Sequence, residues 1–174
     1  MKIQIFIPNV KPCSINKAYY ARNKVLTKEA REYRESFLKS LNSSVSNQNL
    51  MKAFKAAFDP QLHYLDMTML FLIPEDVFFT KKGEISMRSG DTDNYIKLTS
   101  DFLMNDKYYD DPYRLDEGNC YNFGVDDRFV ANYNVTKRPS EGWGIVITAK
   151  IKELSDLYQD ITLPKEEDSI KIVV

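Results

Sequence analysis

Only one histidine and two cysteines occur in the 174 residues of this chain. A Ser-His-Asp or Cys-His mechanism would have to use His63, which stands in an apolar run that predicts a β-strand. A structural role for His63 is therefore favoured over a role as general base. Cys13 and Cys120 are far apart and lack C-x-x-C spacing, so the sequence predicts reduced thiols in a cytoplasmic protein.

Long apolar runs and glycine-rich phosphate loops are also missing. No run approaches the roughly 20 apolar residues that a membrane span needs, and the start MKIQIFIP lacks the features of a signal peptide. Without a G-x-G-x-x-G or Walker-type loop, no nucleotide cofactor is expected. An EF-hand starting at Asp91 is excluded, because Ile96 and Phe102 stand where that loop requires Gly and Glu.

The charged residues are segregated along the chain, although the formal net charge is only −1. Residues 1–58 hold 11 basic against 3 acidic residues, a net charge of +8. Residues 59–174 hold 13 against 22, a net charge of −9. This distribution predicts a basic contact surface and a separate acidic site or tail. The alternative is a basic segment that is simply solvated.

Apolar residues recur with the periods of both strands and helices, which predicts a single α+β domain. The expected fold is a small mixed β-sheet with two main helices packed on one face. The predicted strands are residues 2–7, 62–73, 128–137 and 143–151, and the predicted helices are residues 28–41 and 92–104. The domain is expected to span residues 1–150, with an acidic insert at 105–123 and a C-terminal tail at 151–174.

Local patterns add detail to this sheet. The strand at 62–73 is apolar enough to be central, and alternate residues should share one face: Leu65, Met67, Met69, Phe71 and Ile73. RPSEGWG between the last two strands indicates a turn, so these strands are predicted to form an antiparallel hairpin. The polar residues 42–49 and 75–90 are predicted to be loops, and KAFKAAF is predicted to be a short helical turn.

The stretch GDTDNYIKLTSDF, residues 90–102, places two carboxylates at the start of the second predicted helix. Asp91 and Asp93 lie where the helix dipole favours anions, and Lys97 lies on the same helical face as Asp93. One carboxylate suffices as a cap, and a second repels it unless a cation compensates. A capped, solvated helix end and half of a divalent-metal site both remain open.

A second acidic pair, Asp126 and Asp127, directly precedes the strand predicted from residue 128. If that strand lies beside the helix start, three or four carboxylates converge. Such an oxygen-rich site suits Mg²⁺, or Mn²⁺ in its place, and either ion can activate water beside a phosphodiester. Lys97 would then stabilise the charge that develops at the phosphorus.

Cations and tyrosines are interleaved between the first strand and the first helix, in KPCSINKAYYARNKVL. Lysine and arginine contact DNA phosphates, and tyrosine rings stack on unpaired bases. This segment therefore predicts a nucleic-acid contact, although the tyrosines would also fit a packed core. The predicted contact residues are Lys11, Lys17, Tyr19, Tyr20, Arg22 and Lys24.

Two separated parts of the chain resemble the RusA-type Holliday junction resolvases, a family of crossover junction endodeoxyribonucleases. PCSINKAYYARNKVLTKEAREYRESF, residues 12–37, is similar to the family's N-terminal signature, with its Pro-x-Ser-x-Asn start and its tyrosine pair. GDTDNYIKLTSDFL and the later GVDDRFVANYNVTK are similar to the family's Asp-x-Asp-Asn-x-x-Lys helix start and its Asp-Asp pair. The resemblance covers approximately residues 1–150.

This resemblance implies a homodimeric, Mg²⁺-dependent endonuclease that resolves branched DNA by paired symmetric nicks, in DNA recombination and repair. It implies metal-binding and catalytic roles for Asp91, Asp93 and Asp127, with Asp126 as a further candidate ligand. It also implies a catalytic role for Lys97. Many relatives are carried by phages or prophages, so a phage role in processing branched DNA is expected.

The chain departs from the family where the bacterial relative has a run of arginines before the first aspartate. KKGEISMRSG stands here, and its candidate DNA contacts are Lys81, Lys82 and Arg88. The acidic insert and the tail are additional to the family pattern, and they leave junction selectivity open. Two other functions stay open: a DNA-binding phage accessory protein without catalysis, and an assembly module whose acidic insert contacts a partner.

Overall fold

The computed structural model describes residues 1–20, 25–104 and 121–158, which form an α+β fold. The strands are β1 (Lys2–Pro8), β2 (His63–Pro74), β3 (Val130–Ser140) and β4 (Gly144–Glu153). The helices are α1 (Lys28–Leu41), α2 (Val45–Ala57), α3 (Glu75–Phe78) and α4 (Thr92–Met104). Short 3-10 turns lie at Ile15–Lys17, Met87–Ser89, Asp127–Phe129 and Leu154–Tyr158. The two helices predicted at 28–41 and 92–104 are confirmed.

The described strands form one mixed sheet in the order β1-β4-β2-β3. β4 is antiparallel to both β1 and β2, whereas β3 is parallel to β2. The prediction that the last two strands form a hairpin is therefore wrong, because β2 lies between them. The chain crosses the end of β2 after Ser140, which pairs with Pro74, and Gly144 then pairs with Leu72. A turn sequence predicts that the chain reverses, but it does not specify which strand becomes the neighbour.

One face of the sheet carries the hydrophobic core. Successive side chains of a strand point to opposite faces, and in β2 this alternation buries the predicted set: Leu65, Met67, Met69, Phe71 and Ile73. The apolar sides of the helices pack on this face. The opposite face is partly open, and Phe6 on it is 58% exposed. The prediction of an α+β fold with a mixed sheet and an inner second strand is confirmed, but α2 is a third helix of about the same length as the two predicted helices.

α1 begins at Thr27, whose side-chain oxygen accepts a hydrogen bond from the Ala30 N–H at 3.3 Å. Glu29 lies in the first turn, where the helix dipole favours an anion. Burial of its apolar stripe against the sheet provides most of the stability of such a helix. The buried residues of α1 are Ala30, Tyr33, Phe37, Leu38 and Leu41.

α2 is longer than the sequence indicates. The loop predicted at 42–49 is wrong from Val45 onward, because the polar run is the exposed start of an amphipathic helix. Ser44 caps it by accepting a hydrogen bond from the Asn47 N–H at 3.1 Å. Phe54 anchors its buried side against Phe123, with ring centroids 4.4 Å apart. The loop predicted at 75–90 likewise contains α3 and a 3-10 turn.

The end of the predicted acidic insert belongs to the core. Residues 105–120 of the insert lie outside the described residues, but Tyr121, Asn122 and Phe123 are buried. Asn42, just after α1, accepts from the Tyr121 N–H and donates to the Tyr121 carbonyl, both at 2.8 Å. The prediction of an insert at 105–123 therefore extends too far, because its last three residues bond to Asn42 and to carbonyls of the last turn of α4 and pack against Phe54 of α2. The tail is described only as far as Tyr158.

Candidate functional site

The two carboxylates predicted at the start of α4 are exposed to solvent. Asp91 lies immediately before Thr92, and Asp93 lies in the first turn of α4. Asp91 accepts a hydrogen bond from the Asn94 side chain at 3.4 Å, and no backbone N–H of the described residues donates to its carboxylate. No described cation forms an ion pair with either carboxylate. Helix capping therefore does not account for Asp91, and both groups are accessible to a ligand.

Charged residues continue from Asp93 along α4. Lys97 and Asp101 follow at intervals of four residues, which places all three on one face of the helix. Burial raises the pKa of the Asp101 carboxyl, the charge of Asp127 raises it further, and the charge of Lys97 lowers it. Asp101 therefore lies within electrostatic reach of two predicted site residues. The sequence prediction omits Asp101, although its spacing from Lys97 is a signal that would have indicated it.

The adjacent aspartates before β3 have different surroundings. Asp126 caps the 3-10 turn Asp127–Phe129, because its Oδ1 accepts from the Arg128 N–H at 3.0 Å. The same oxygen lies 3.8 Å from the Arg128 Nε. Asp127 is exposed, and within the described ranges no cation forms an ion pair with it. Asp126 therefore has a structural partner, and Asp127 is the accessible member of the pair.

Two hydrogen bonds establish how α4 lies against β3. The Ser100 and Tyr133 hydroxyls are 2.5 Å apart, and Lys137 donates to the Gly90 carbonyl at 2.5 Å. Gly90, before α4, contacts the later strand residue Lys137, and Ser100 contacts the earlier strand residue Tyr133. The helix and the strand therefore run antiparallel. Asp91 consequently lies beside the later part of β3, near Lys137.

Asp127 lies near the other end of α4, beside Asp101 and Tyr133. Burial raises the pKa of Tyr133, the Ser100 hydrogen bond lowers it, and the charges of Asp127 and Asp101 raise it. The ten residues from Asp91 to Asp101 correspond to about 15 Å of helix rise. The structure therefore presents two carboxylate pairs, at 91/93 and at 101/127. Among residues 1–20, 25–104 and 121–158, no three His, Cys, Asp or Glu side chains form a group that could hold one metal ion.

The predicted nucleic-acid segment folds next to α4, since its 3-10 turn Ile15–Lys17 packs against that helix. Beyond the turn, Tyr19 pairs with Leu26 in an isolated antiparallel bridge. The Tyr20 N–H donates to the Val25 carbonyl at 3.0 Å. Tyr19 and Tyr20 are 40% and 55% exposed, so their rings are accessible for stacking. The alternative of two tyrosines packed in the core does not fit this exposure.

Lys11 and Lys17 are exposed on either side of the buried Cys13. Burial raises the pKa of the Cys13 thiol to about 11, Glu29 adds to the rise, and Lys17 and Lys11 oppose it. Lys17 is the last residue of the 3-10 turn that contacts α4, and its carbonyl accepts from the hydroxyl of Thr27, the N-cap of α1, at 2.7 Å. The Lys11 ammonium lies 5.6 Å from the centre of a Trp143 ring. Two further predicted cations lie outside the described residues, Arg22 and Lys24.

The cations between α3 and α4 differ in their contacts. Lys81 and Lys82 are exposed in a turn that is closed by the Thr80 N–H and the Glu84 carbonyl, 2.8 Å apart. Arg88 is also exposed, but its guanidinium donates to a backbone carbonyl of α3, that of Asp76, at 2.8 Å. The two lysines are thus accessible to phosphate, and Arg88 helps to hold the segment before α4.

His63 has partners at both ring nitrogens. Its Nδ1 accepts from the Asp59 N–H at 3.0 Å, and its Nε2 lies 3.4 Å from a carboxylate oxygen of Glu153. These contacts agree with the predicted structural role. Both ring nitrogens of His63 are thus engaged in contacts that link β2 to its neighbours.

No protein-family model matches the chain, and no curated protein matches it. Within the described part of the chain, every helix is too short or too polar to cross a membrane.

Proposed function

We propose that this protein is a Mg²⁺-dependent endodeoxyribonuclease that cuts branched DNA, four-way junctions in particular. The observation that carries the proposal is the pair of exposed carboxylates at the start of α4, which lack a cationic partner among the described residues. A cationic, tyrosine-bearing segment packs directly against the same helix. Carboxylates beside a surface for phosphates are unfavourable unless a metal ion lies between them and the DNA. The resemblance to RusA-type resolvases supports the same activity.

The donor set fits Mg²⁺. This ion is hard, retains several waters and is commonly held by one or two carboxylates together with substrate phosphate oxygens. Each of the two carboxylate pairs therefore suffices for one ion, with Asp91, Asp93 and Asp127 as the proposed ligands. Mn²⁺ accepts the same oxygen donors and would substitute. When bound, the metal would polarise the phosphodiester and lower the pKa of a bound water.

The protein's own side chains would supply the remaining functions. Lys97 is exposed one turn after Asp93, where its ammonium would stabilise negative charge on a bound phosphate as the bond breaks. Asp126 is a less suitable ligand than Asp127, because its carboxylate already caps the following turn. Asp101 completes the second pair and would orient the metal or its waters.

DNA would be held by cations on both sides of the start of α4. Lysines and arginines that neutralise phosphates make affinity strongly dependent on salt, and the exposed tyrosines would stack on bases opened at a branch point. The proposed contacts are Lys11, Lys17, Tyr19, Tyr20, Arg22, Lys24, Lys81, Lys82 and Arg88. A homodimer would place two such sites on opposing strands and so produce paired nicks. Phage DNA recombination or repair is the process proposed for it.

The test uses a synthetic four-way junction, Mg²⁺ and purified full-length protein. Three variants each remove one proposed ligand charge: Asp91→Asn, Asp93→Asn and Asp127→Asn. Each should slow nicking by on the order of 100-fold or more, since electrostatic groups at a reacting phosphate contribute that much. Glu35→Gln is the matched control, because Glu35 is an exposed carboxylate of α1 two residues after the buried Tyr33, and therefore lies on the solvent-facing side of that helix.

The outcomes separate the functions that the sequence leaves open. Metal-dependent nicking by the wild type that the three variants lose supports the nuclease. Salt-dependent junction binding without nicking indicates a DNA-binding accessory protein. Absence of both indicates an assembly module. Calorimetric titration with Mg²⁺ would further show whether Asp91→Asn and Asp127→Asn abolish the same binding event or two different ones.

A further inference from the structure

Lys137 occupies a position in β3 that faces the core. It pairs with Phe71 of β2, which is fully buried, and the residues two and four positions earlier face the same side. A charged side chain at such a position is costly unless its ammonium finds hydrogen-bond acceptors. The contacts of that ammonium therefore indicate why a lysine stands there.

The partners of the Lys137 ammonium are neutral. It donates to the Ser89 Oγ at 2.9 Å and to the Gly90 carbonyl at 2.5 Å, and it lies 5.9 Å from the centre of the Phe78 ring. In the described ranges it forms no ion pair with a carboxylate. These contacts therefore hold a segment of backbone in place and do not neutralise the charge of the lysine.

That segment leads directly into Asp91. Ser89 is fully buried, its carbonyl accepts from the Tyr95 hydroxyl at 3.2 Å, and Gly90 has a positive φ of 66°. The backbone just before Asp91 is thus held from α4 by Tyr95 and from β3 by Lys137. Replacing Lys137 would keep the contact from Tyr95 and remove the contact from β3.

We propose that Lys137 is a positioning residue that holds the Ser89–Gly90 backbone so that the Asp91 carboxylate is presented in one orientation. The catalytic part of this inference rests on the proposed nuclease function. Residues that orient metal ligands through a second layer of hydrogen bonds typically change activity or metal affinity by about 10–100-fold when they are replaced. The lysine is expected to act through Asp91 without touching DNA.

The experiment compares Lys137→Met, which keeps the length of the side chain, with Lys137→Arg, which keeps a donor. Arg138→Met is the matched control, because it removes a cation from the next residue on the opposite face of β3. On a four-way junction with Mg²⁺, Lys137→Met should lower kcat by about 10–100-fold with KM for the junction unchanged. Lys137→Arg should recover part of the loss, and Arg138→Met should keep the wild-type kcat. Lys137→Gln is the second variant if Lys137→Met does not fold.

A structural measurement is made on the same proteins: amide hydrogen exchange at Gly90 and Asp91. Exchange should accelerate there in Lys137→Met and stay unchanged in Arg138→Met. A wild-type kcat in Lys137→Met, or a loss confined to KM, would overturn the inference. If the wild type does not nick DNA, the nuclease proposal fails, and exchange alone then decides: faster exchange confined to the segment supports the positioning role, and unchanged exchange refutes it.

Discussion

The side-chain hydroxyls of Ser100 and Tyr133 lie 2.5 Å apart and join α4 to the edge strand β3. This contact places Asp101, the residue after Ser100, beside the 3-10 turn that carries Asp127. It therefore determines which carboxylates are neighbours at the candidate site. The sequence predicts that Asp127 lies beside the start of α4, whereas its electrostatic neighbour in the structure is Asp101.

Removing this hydroxyl pair should weaken the fold modestly. Tyr133→Phe and Ser100→Ala should each lower the free energy of unfolding by about 1 kcal/mol, the usual contribution of one hydrogen bond. Urea unfolding measures the effect, and Tyr20→Phe is the control at an exposed tyrosine. In the double variant the losses should be less than additive, because both remove the same bond; full additivity would contradict the contact.

Asp101→Asn should not destabilise the protein at pH 7, although the residue is partly buried. Burial and the charge of Asp127 raise the pKa of the folded carboxyl above its ordinary value of 3.8. Its stabilising contribution is therefore present below pH 3.8 and is lost as the pH rises through the folded pKa. At pH 7 the charged Asp101 carboxylate opposes folding, whereas the neutral amide of the Asp101→Asn variant does not.

Urea unfolding at pH 7 and pH 4 measures the free energy of unfolding of the wild type and of Asp101→Asn. Any gain in stability from the substitution should be smaller at pH 4. Asp66→Asn is the contrasting variant, because it loses an ion pair with Lys150 at 3.6 Å and should gain no stability. Mg²⁺ should stabilise the wild type more than Asp101→Asn. A clear loss of stability in Asp101→Asn at pH 7 would contradict the electrostatic assignment.

Gly90→Ala should be markedly more damaging than Gly83→Ala. Both glycines have positive φ, 66° and 81°, and the ψ of 171° at Gly90 places it in a backbone region that essentially only glycine adopts. A Cβ at Gly90 would also collide with the hydroxyl end of the Tyr95 ring, whereas the space around Gly83 is open. Thermal unfolding of the two variants measures the difference in stability. Equal losses of stability would contradict both the additional backbone strain and the collision at Gly90.

Stability should fall as the pH rises above 10, with Tyr33 as a major cause. Burial raises the pKa of the Tyr33 hydroxyl well above its ordinary value of 10.0. The stabilising contribution of the neutral phenol is therefore complete below pH 10 and decreases at higher pH, as the unfolded chain ionises first.

Tyr33→Phe tests the alkaline prediction. Its hydroxyl lies 2.6 Å from the Thr99 Oγ1, which itself donates to the Tyr95 carbonyl, so Tyr33 is the donor. The variant should lose about 1 kcal/mol at pH 8 and should show a shallower decline of stability between pH 9 and 11. Urea unfolding across this range is the measurement, with Tyr20→Phe as the control. Parallel curves for wild type and Tyr33→Phe would refute the role of Tyr33.

Much of the candidate site follows from short spacings in the sequence. Asp91 and Asp93 stand at a helix start because apolar residues recur behind them at helical intervals, and the structure confirms that helix at 92–104. The roles of neighbouring residues are less predictable. Asp126 and Asp127 are adjacent and chemically identical, yet only the first caps a turn, because capping depends on the local backbone path.

The sequence by itself determined the positions of α1, α4 and the four strands and the buried face of β2, because these depend on residues two to four positions apart. Only the tertiary structure decided that β2 separates β3 from β4, that Lys137 reaches Gly90, and that Asp101 lies near Asp127. Those relationships join residues that are distant in the chain. They arise from how the apolar faces are buried together, which local periodicity does not encode.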